Sequence, residues 1–124
     1  NLAASFLVQV PVEDLDAGED IANRAVFVAP HDLTIDSIIL IPQGTSEGID
    51  EDDNCVVTIK YGNTKVVEST FDDTTTFPGD GGVATMAVLS GAIASGGMLK
   101  LSVTNDSAAN LPAFLIQISG TFTS

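Results

Sequence analysis

Residues 55–71 read CVVTIKYGNTKVVESTF, two runs of strand length on either side of a Gly-Asn-Thr sequence. β-Branched residues are frequent in both runs, and the centre carries residue types that favour a tight turn. A two-residue turn at 62–63 would set apolar residues against charged ones, whereas a three-residue loop at 62–64 sets Ile59 opposite Val67. We therefore predict a β-hairpin with the three-residue loop.

The rest of the chain is divided in the same way, because Gly, Pro, Asn and Asp separate short apolar segments. No apolar pattern at helical spacing is long enough to compete. The segments of strand length are 5–12, 21–29, 33–42, 55–61, 65–71, 83–89, 98–104 and 113–122. We predict an all-β fold, a single antiparallel β-sandwich of about eight strands. It forms one domain over residues 1–124, with residues 1–4 as a flexible N-terminal arm.

Strict alternation of apolar and polar residues assigns the faces of the last two segments. Leu99, Leu101 and Val103 share one face of segment 98–104. Four apolar residues share one face of segment 113–122: Phe114, Ile116, Ile118 and Phe122. Because successive side chains of a strand point to opposite sides, these two apolar rows are expected to meet in the core.

Segment 33–42 departs from this alternation. Four aliphatic residues share one face: Leu33, Ile35, Ile39 and Ile41. Ile38 and Leu40 make the second half of the opposite face apolar as well. Two explanations of this two-sided burial stay open. The segment is either a central strand covered by a loop or by the N-terminus, or part of a subunit interface.

The charge balance is strongly acidic, with 17 Asp and Glu residues against 4 Lys and Arg, and a formal net charge of −13. Such a field repels phosphate backbones and anionic membranes, so we expect neither nucleic acid nor a membrane as a partner. A high density of Asp and Glu on the surface favours solubility, or indicates an environment of high salt concentration in which the charges are screened. No stretch reaches the roughly 18 apolar residues that span a bilayer.

Residues that could support catalysis are few. His31 is the only histidine and lies in a Pro-His-Asp turn, and Cys55 is the only cysteine and lies in an apolar run. A nucleophile and its base would have to include His31, and no strained-turn motif marks a nucleophile. A single Cys with a single His also disfavours zinc. We predict that the chain is not an enzyme.

Oxygen-bearing side chains are dense at 50–54, where the sequence reads DEDDN. An EF-hand is excluded, because its loop would need Gly where Cys55 stands and Glu where Tyr61 stands. A looser calcium site stays open as the single cofactor prediction, built from three residues: Asp50, Asp52 and Asn54. Of the two interpretations, we favour a solvated acidic loop without a cofactor.

Several stretches resemble a known class of proteins: residues 29–38 (APHDLTIDSI), residues 42–50 (PQGTSEGID), and the C-terminal part from VTN at 103–105 to PAFLIQI at 112–118. They are similar to small structural proteins of tailed double-stranded DNA bacteriophages, of the head decoration (cement) or head-fibre kind. The resemblance covers roughly residues 25–120.

This resemblance implies a jelly-roll-like sandwich that forms a homotrimer on the outer capsid surface of the virion, after assembly in the host cytoplasm. It would bind the major capsid protein and clamp neighbouring subunits against the pressure of packaged DNA. Weak contacts add up in such a trimer, because each subunit touches the shell. We predict the trimer seam at Ile38 and Leu40, together with Leu7 and Pro11 on the exposed side of the first strand.

Two other function classes are weighed against this one. The alternative function is that of a receptor- or carbohydrate-binding β-sandwich module of a phage fibre. In that module the loops at one end, among them 44–54, would bind the ligand with or without calcium. A hydrolase on the same scaffold is the third class, and its activity would depend on His31.

Overall fold

The computed structural model describes residues 4–50, 52–106 and 109–123, which form strands, turns and loops. The strands along the chain are β1 (Ser5–Val12), β2 (Ile21–Val28), β3 (Leu33–Pro42), β4 (Cys55–Tyr61), β5 (Thr64–Phe71), β6 (Ala84–Met86), β7 (Ala92–Ile93), β8 (Met98–Asn105) and β9 (Phe114–Phe122). β1, β3 and β4 have the predicted bounds, and the other long strands differ from prediction by one residue at one end. A helix of bilayer-spanning length is absent from these described ranges.

The strands form two antiparallel sheets packed against each other. The first sheet has the order β1-β9-β3-β6, with β7 paired to the beginning of β3, and the second has the order β2-β8-β4-β5. The chain passes from one sheet to the other at most connections, as in a jelly roll. The predicted all-β sandwich is confirmed, and the structure adds the strand order.

Alternating side chains from both sheets fill the space between them. Leu99, Leu101 and Val103 of β8 are each 0% exposed. They share one core with the apolar row of β9: Phe114, Ile116 and Ile118. The Phe77 ring, from the β5–β6 connection, closes this core against the Phe71 ring at a centroid distance of 5.2 Å. The faces predicted for β8 and β9 are confirmed at these six positions.

β3 contains a bulge that reverses its faces half-way. Its register with β9 shifts between Ile35 and Ser37, so one extra residue is inserted and the side chains beyond it change sides. Ile35 lies in the core before the bulge, and Ile38 and Leu40, each 0% exposed, lie in the core after it. This corrects the placement of Ile38 and Leu40 at a subunit seam, because the chain's own two sheets enclose their side chains.

The β4–β5 hairpin has the predicted register and a shorter turn. Ile59 pairs with Val67, as predicted, but Tyr61 also pairs with Thr64, which leaves a two-residue turn. Gly62 takes the first turn position with a φ of 61°, a conformation that suits glycine. A bulge on β5 between these two pairs absorbs the extra residue. The predicted register is therefore confirmed, and the predicted loop length is wrong.

Segment 83–89 differs most from its prediction. Only 84–86 forms a strand, β6. The chain then leaves the first sheet and reaches the second, where the Leu89 N–H donates to the Val66 carbonyl at the edge of β5 (2.8 Å). The two residues of β7 follow. A strand of two residues cannot show alternation, which is why the sequence does not reveal it.

The predicted flexible arm at residues 1–4 lies outside the described residues except for Ala4. The Ala4 carbonyl accepts a hydrogen bond from the Phe122 N–H (2.8 Å), which continues the pairing of β1 with β9. At this residue the chain is therefore hydrogen-bonded to the first sheet.

Candidate functional site

His31 and Cys55, the residues on which an enzyme would depend, lie at opposite ends of the sandwich. His31 is exposed in the β2–β3 connection, where its ring meets the Phe122 ring edge-on at a centroid distance of 5.7 Å. Cys55 begins β4 and is 0% exposed. The fold therefore brings no histidine to the thiol.

Burial raises the pKa of the Cys55 thiol from an ordinary 9.0 to about 12, and the negative charge of Asp20 acts in the same direction. A protonated and enclosed thiol is a poor nucleophile. The shift also weakens the folded state above pH 9. From there to about pH 12 the unfolded thiol ionises and the folded thiol stays neutral.

We expect the folded chain to react with Ellman's reagent at pH 8 roughly a hundredfold more slowly than the urea-unfolded chain. The physical reason is that Cys55 becomes accessible only when β4 leaves the core. The measurement is the rate of thionitrobenzoate release with and without urea. Labelling of the folded chain at the unfolded rate would contradict the burial of Cys55.

The acidic loop before β4 uses a carboxylate to shape its own backbone. One carboxylate oxygen of Asp50 accepts hydrogen bonds from the N–H groups of Asp52 (2.9 Å) and Asp53 (2.7 Å). The Asn54 carbonyl accepts one from the Asp106 N–H (3.1 Å), which joins this loop to the β8–β9 connection. In the part of the chain that the structure describes, no three His, Cys, Asp or Glu side chains form a metal-binding group. Calcium at Asp50, Asp52 and Asn54 stays a prediction.

Two open depressions adjoin Tyr61 at the other end of the sandwich. One, of about 540 Å³, is lined by Tyr61, Lys100 and residues 95–98. The other, of about 360 Å³, is lined by Tyr61, β7 and the beginning of β3. Tyr61 is the one aromatic ring of both. A ligand-binding module usually encloses its ligand more fully and supplies more convergent polar groups.

The outer side of the first sheet has an apolar row towards one end of its strands, next to a polar row in which the Gln9 side-chain amide donates to the Gln117 side-chain oxygen (3.1 Å). The pairs Pro11–Leu115 and Leu115–Ile41 place apolar residues in a row across three strands. The last pair of β3 with β6 is Leu40–Ala84, and Val83 directly precedes β6 at the Ile41 end of the row. Leu7 is 59% exposed and Val83 is 58% exposed. We call this surface the outer face and define it by six residues: Leu7, Pro11, Ile39, Ile41, Val83 and Leu115.

Leu7 and Pro11, two residues of the outer face, belong to the predicted seam, and both are exposed in the structure. Strict alternation predicts Ile39 and Ile41 on the other side of β3, because it takes no account of the bulge. Asp36 is the signal that could have marked it. This charged residue stands in an apolar strand, and its carboxylate accepts a hydrogen bond from the Thr121 hydroxyl (2.9 Å).

Charge is segregated between the two sheets and the loops. All basic residues lie on strands of the second sheet: Arg24, Lys60, Lys65 and Lys100. Asp36 is the one charged residue in the strands of the first sheet. Most acidic residues lie in the β1–β2, β3–β4, β5–β6 and β8–β9 connections. The Leu15–Leu111 and Glu47–Asn110 bridges join three of these connections at one end of the sandwich.

No protein-family model matches the chain, and no curated protein matches it either. A solved structure from Bacillus, described as belonging to endospore appendages that form a family of disulfide-linked pili, has 13% sequence identity and a TM-score of 0.45. The alignment covers 99% of this chain and 93% of that chain. At this distance the similarity indicates no function.

Proposed function

We propose that this chain is a non-enzymatic structural protein that works in an assembly of its own copies. In the form that the sequence resemblance implies, it is a homotrimer that decorates and stabilises the outer surface of a phage capsid by binding the major capsid protein. The observation that carries the proposal is the outer face, an apolar surface on a chain whose net charge is −13.

Part of the outer face is a contiguous apolar row. Pro11, Leu115 and Ile41 are paired across three strands and Val83 directly precedes the fourth, whereas Gln9 and Gln117 separate Leu7 from this row. Single exposed apolar side chains are normal on a protein surface, whereas contiguous ones mark interaction sites. Full burial of one such side chain contributes about 1.5–3 kcal/mol. A partner that covers the row therefore gains a few kcal/mol from it, with the smaller contributions from Leu115 and Ile41, which are already half-buried.

Electrostatics favours this face as the contact between copies. Two chains of charge −13 repel each other, and the repulsion is smallest where few charged side chains face the neighbour. The strands that form the outer face carry Asp36 and no basic residue. Salt should strengthen the assembly, because it screens the acidic loops and leaves the apolar contact intact.

Within this proposal the seam keeps Leu7 and Pro11 and takes Ile39 and Ile41 in place of the enclosed Ile38 and Leu40. Three copies joined in this way would present three sets of equivalent surfaces to a capsid. Each contact with the capsid can then be weak, because linked contacts raise the effective concentration of the others.

Val83→Asp is expected to weaken assembly at least about tenfold, because it places a charge in the apolar row. Val83 is 58% exposed, so the substitution should leave the fold intact. The measurement is the mass of the purified chain by light scattering, in low salt and at about 0.5 M salt, where the screening length is a few ångströms. Thr70→Asp, at an exposed position on β5 in the second sheet, is the matched control and should keep the wild-type mass.

A wild-type mass of three chains of 12.8 kDa, or of a whole number of such trimers, lowered by Val83→Asp and not by Thr70→Asp, would support the proposal. A stable monomer at both salt concentrations would contradict it. The receptor- or carbohydrate-binding module would then be the better hypothesis.

A further inference from the structure

Each sheet has two edges, and three of the four are protected against pairing with another chain. The register of β2 on β8 breaks twice, and Asn23 in β2 has a φ of 50°. β5 carries a bulge, and its Val66 carbonyl accepts the Leu89 N–H. The third edge consists of β6 and β7, which have three and two residues.

Among the residues that the structure describes, nothing protects the edge at β1. It pairs with β9 over the eight residues Ser5–Val12 without a register shift, and its sequence, SFLVQVPV, contains no charge. Natural proteins usually block an exposed edge with a lysine, an inward-pointing charge, a bulge or a proline. The single such feature of β1 is Pro11, which stands next to its C-terminal end.

Every second residue of β1 turns its backbone N–H and C=O groups away from β9. The Phe122 N–H donates to the Ala4 carbonyl (2.8 Å), so the residues at even positions face β9. Ser5, Leu7 and Gln9 therefore point their backbone groups outward. Pro11 shares their parity, so its missing N–H costs no hydrogen bond within the chain's own sheet.

We propose that this edge pairs antiparallel with the same edge of a second copy, about a two-fold axis at Leu7. Leu7 then faces Leu7, and Ser5 faces Gln9 of the other copy, which gives about six hydrogen bonds. The next register brings Pro11 opposite Ser5, where a donor is missing and the proline ring crowds the opposing carbonyl. Pro11 thus favours the register centred on Leu7, in which residues 5–9 of the two copies pair and Pro11 lies just outside them.

The side chains of β1 and its lack of charge both favour a second copy of the chain as the partner at this edge. Leu7, which is 59% exposed, would meet Leu7 of the other copy on the outer side. The half-buried Phe6 and Val8 would face each other across the copies on the inner side. The strand brings no charge to the contact, so two chains of charge −13 can approach along it.

This contact goes beyond the proposed function. A two-fold contact does not build a trimer, so edge pairing would link one assembly to the next. The outer face and the β1 edge share Leu7 and otherwise make different contacts, so Val83→Asp can weaken the first contact and Gln9→Pro the second.

Disulfide trapping tests the proposed register. Residues that exchange both backbone hydrogen bonds have Cα atoms about 5.5 Å apart, within disulfide range. Leu7→Cys is expected to give a covalent dimer under mild oxidation. Gln9→Cys alone is not, because the two copies of residue 9 would lie about 13 Å apart along the strands. A mixture of Ser5→Cys and Gln9→Cys chains should cross-link about as well as Leu7→Cys. The buried Cys55 should not compete.

Gln9→Pro is the matched backbone variant. It removes one outward N–H and leaves the hydrogen bonds to β9 in place, so it should lower Leu7→Cys cross-linking about tenfold at an unchanged urea midpoint. If Gln9→Pro lowers the urea midpoint, this variant no longer tests the edge contact. The test of the register is then whether the mixture of Ser5→Cys and Gln9→Cys chains cross-links more than Gln9→Cys alone. Equal cross-linking at positions 7 and 9, or no cross-linking at 7, would overturn the proposal. Val83→Asp should leave the Leu7→Cys cross-link unchanged, which separates this contact from the outer face.

Discussion

Ile38→Asp is expected to unfold the chain at moderate urea concentration rather than to separate folded subunits. The Ile38 side chain is 0% exposed and lies between the two sheets, so the new carboxylate would be buried without a partner. A buried unpaired charge of this kind costs about 4 kcal/mol or more, a large part of the stability of a domain of this size. The measurement is the urea midpoint followed by far-ultraviolet circular dichroism.

Ile39→Asp is the control for this prediction, because it changes the same residue type one position further along β3. Ile39 lies beyond the bulge on the outer side and is only half-buried, so we expect a loss of less than about 1.5 kcal/mol. If Ile38→Asp gave a stable folded chain, the position of the bulge in β3 would be wrong. A loss of association in Ile38→Asp reports unfolding and carries no information on a seam.

Gly120→Ala is expected to lower the free energy of unfolding by about 2–3 kcal/mol. A Cβ atom at Gly120 would overlap the Thr34 carbonyl oxygen and lie 3.0 Å from both the Ile35 Cα atom and the Phe6 Cε1 atom. Two of these neighbours are backbone atoms of β3 beside its bulge, which cannot move without breaking the pairing with β9. The urea midpoint again measures the effect.

Gly79→Ala is the control for Gly120→Ala. A Cβ atom at Gly79 would meet nothing within 4 Å, and the expected change in stability is within about 0.5 kcal/mol. Equal midpoints for the two alanine variants would show that β3 and β9 do not approach each other closely at the bulge.

The two contacts that we propose, the outer face and the β1 edge, both belong to the first sheet. Its strands carry one acidic residue and no basic one, while the loops at one end of the sandwich carry most of the acid. The acidic loops keep copies apart except where an uncharged surface meets another. This segregation makes self-association selective, because it leaves few surfaces on which two copies can meet.

Local patterns in the sequence determined the fold class, the bounds of most strands and the core rows of β8 and β9. They could do so because alternation has a period of two residues and turn chemistry is local. The exposure of Leu7 and Pro11 follows from the same alternation in β1. The register of the β4–β5 hairpin also follows from the sequence, since apolar pairing fixes it whatever the turn length.

Only the tertiary structure decided which side of β3 is the outer face. At the bulge between Ile35 and Ser37, β3 lies directly against Gly120 of β9, a residue far along the chain, and within β3 only the charged Asp36 marks the position. The unprotected edge at β1 is likewise decided by the tertiary structure, because strand order depends on pairings between distant segments. A shift of one residue exchanges the two sides of a strand, and this is why Ile38 and Leu40 lie in the core while Ile39 and Ile41 lie on the outer face.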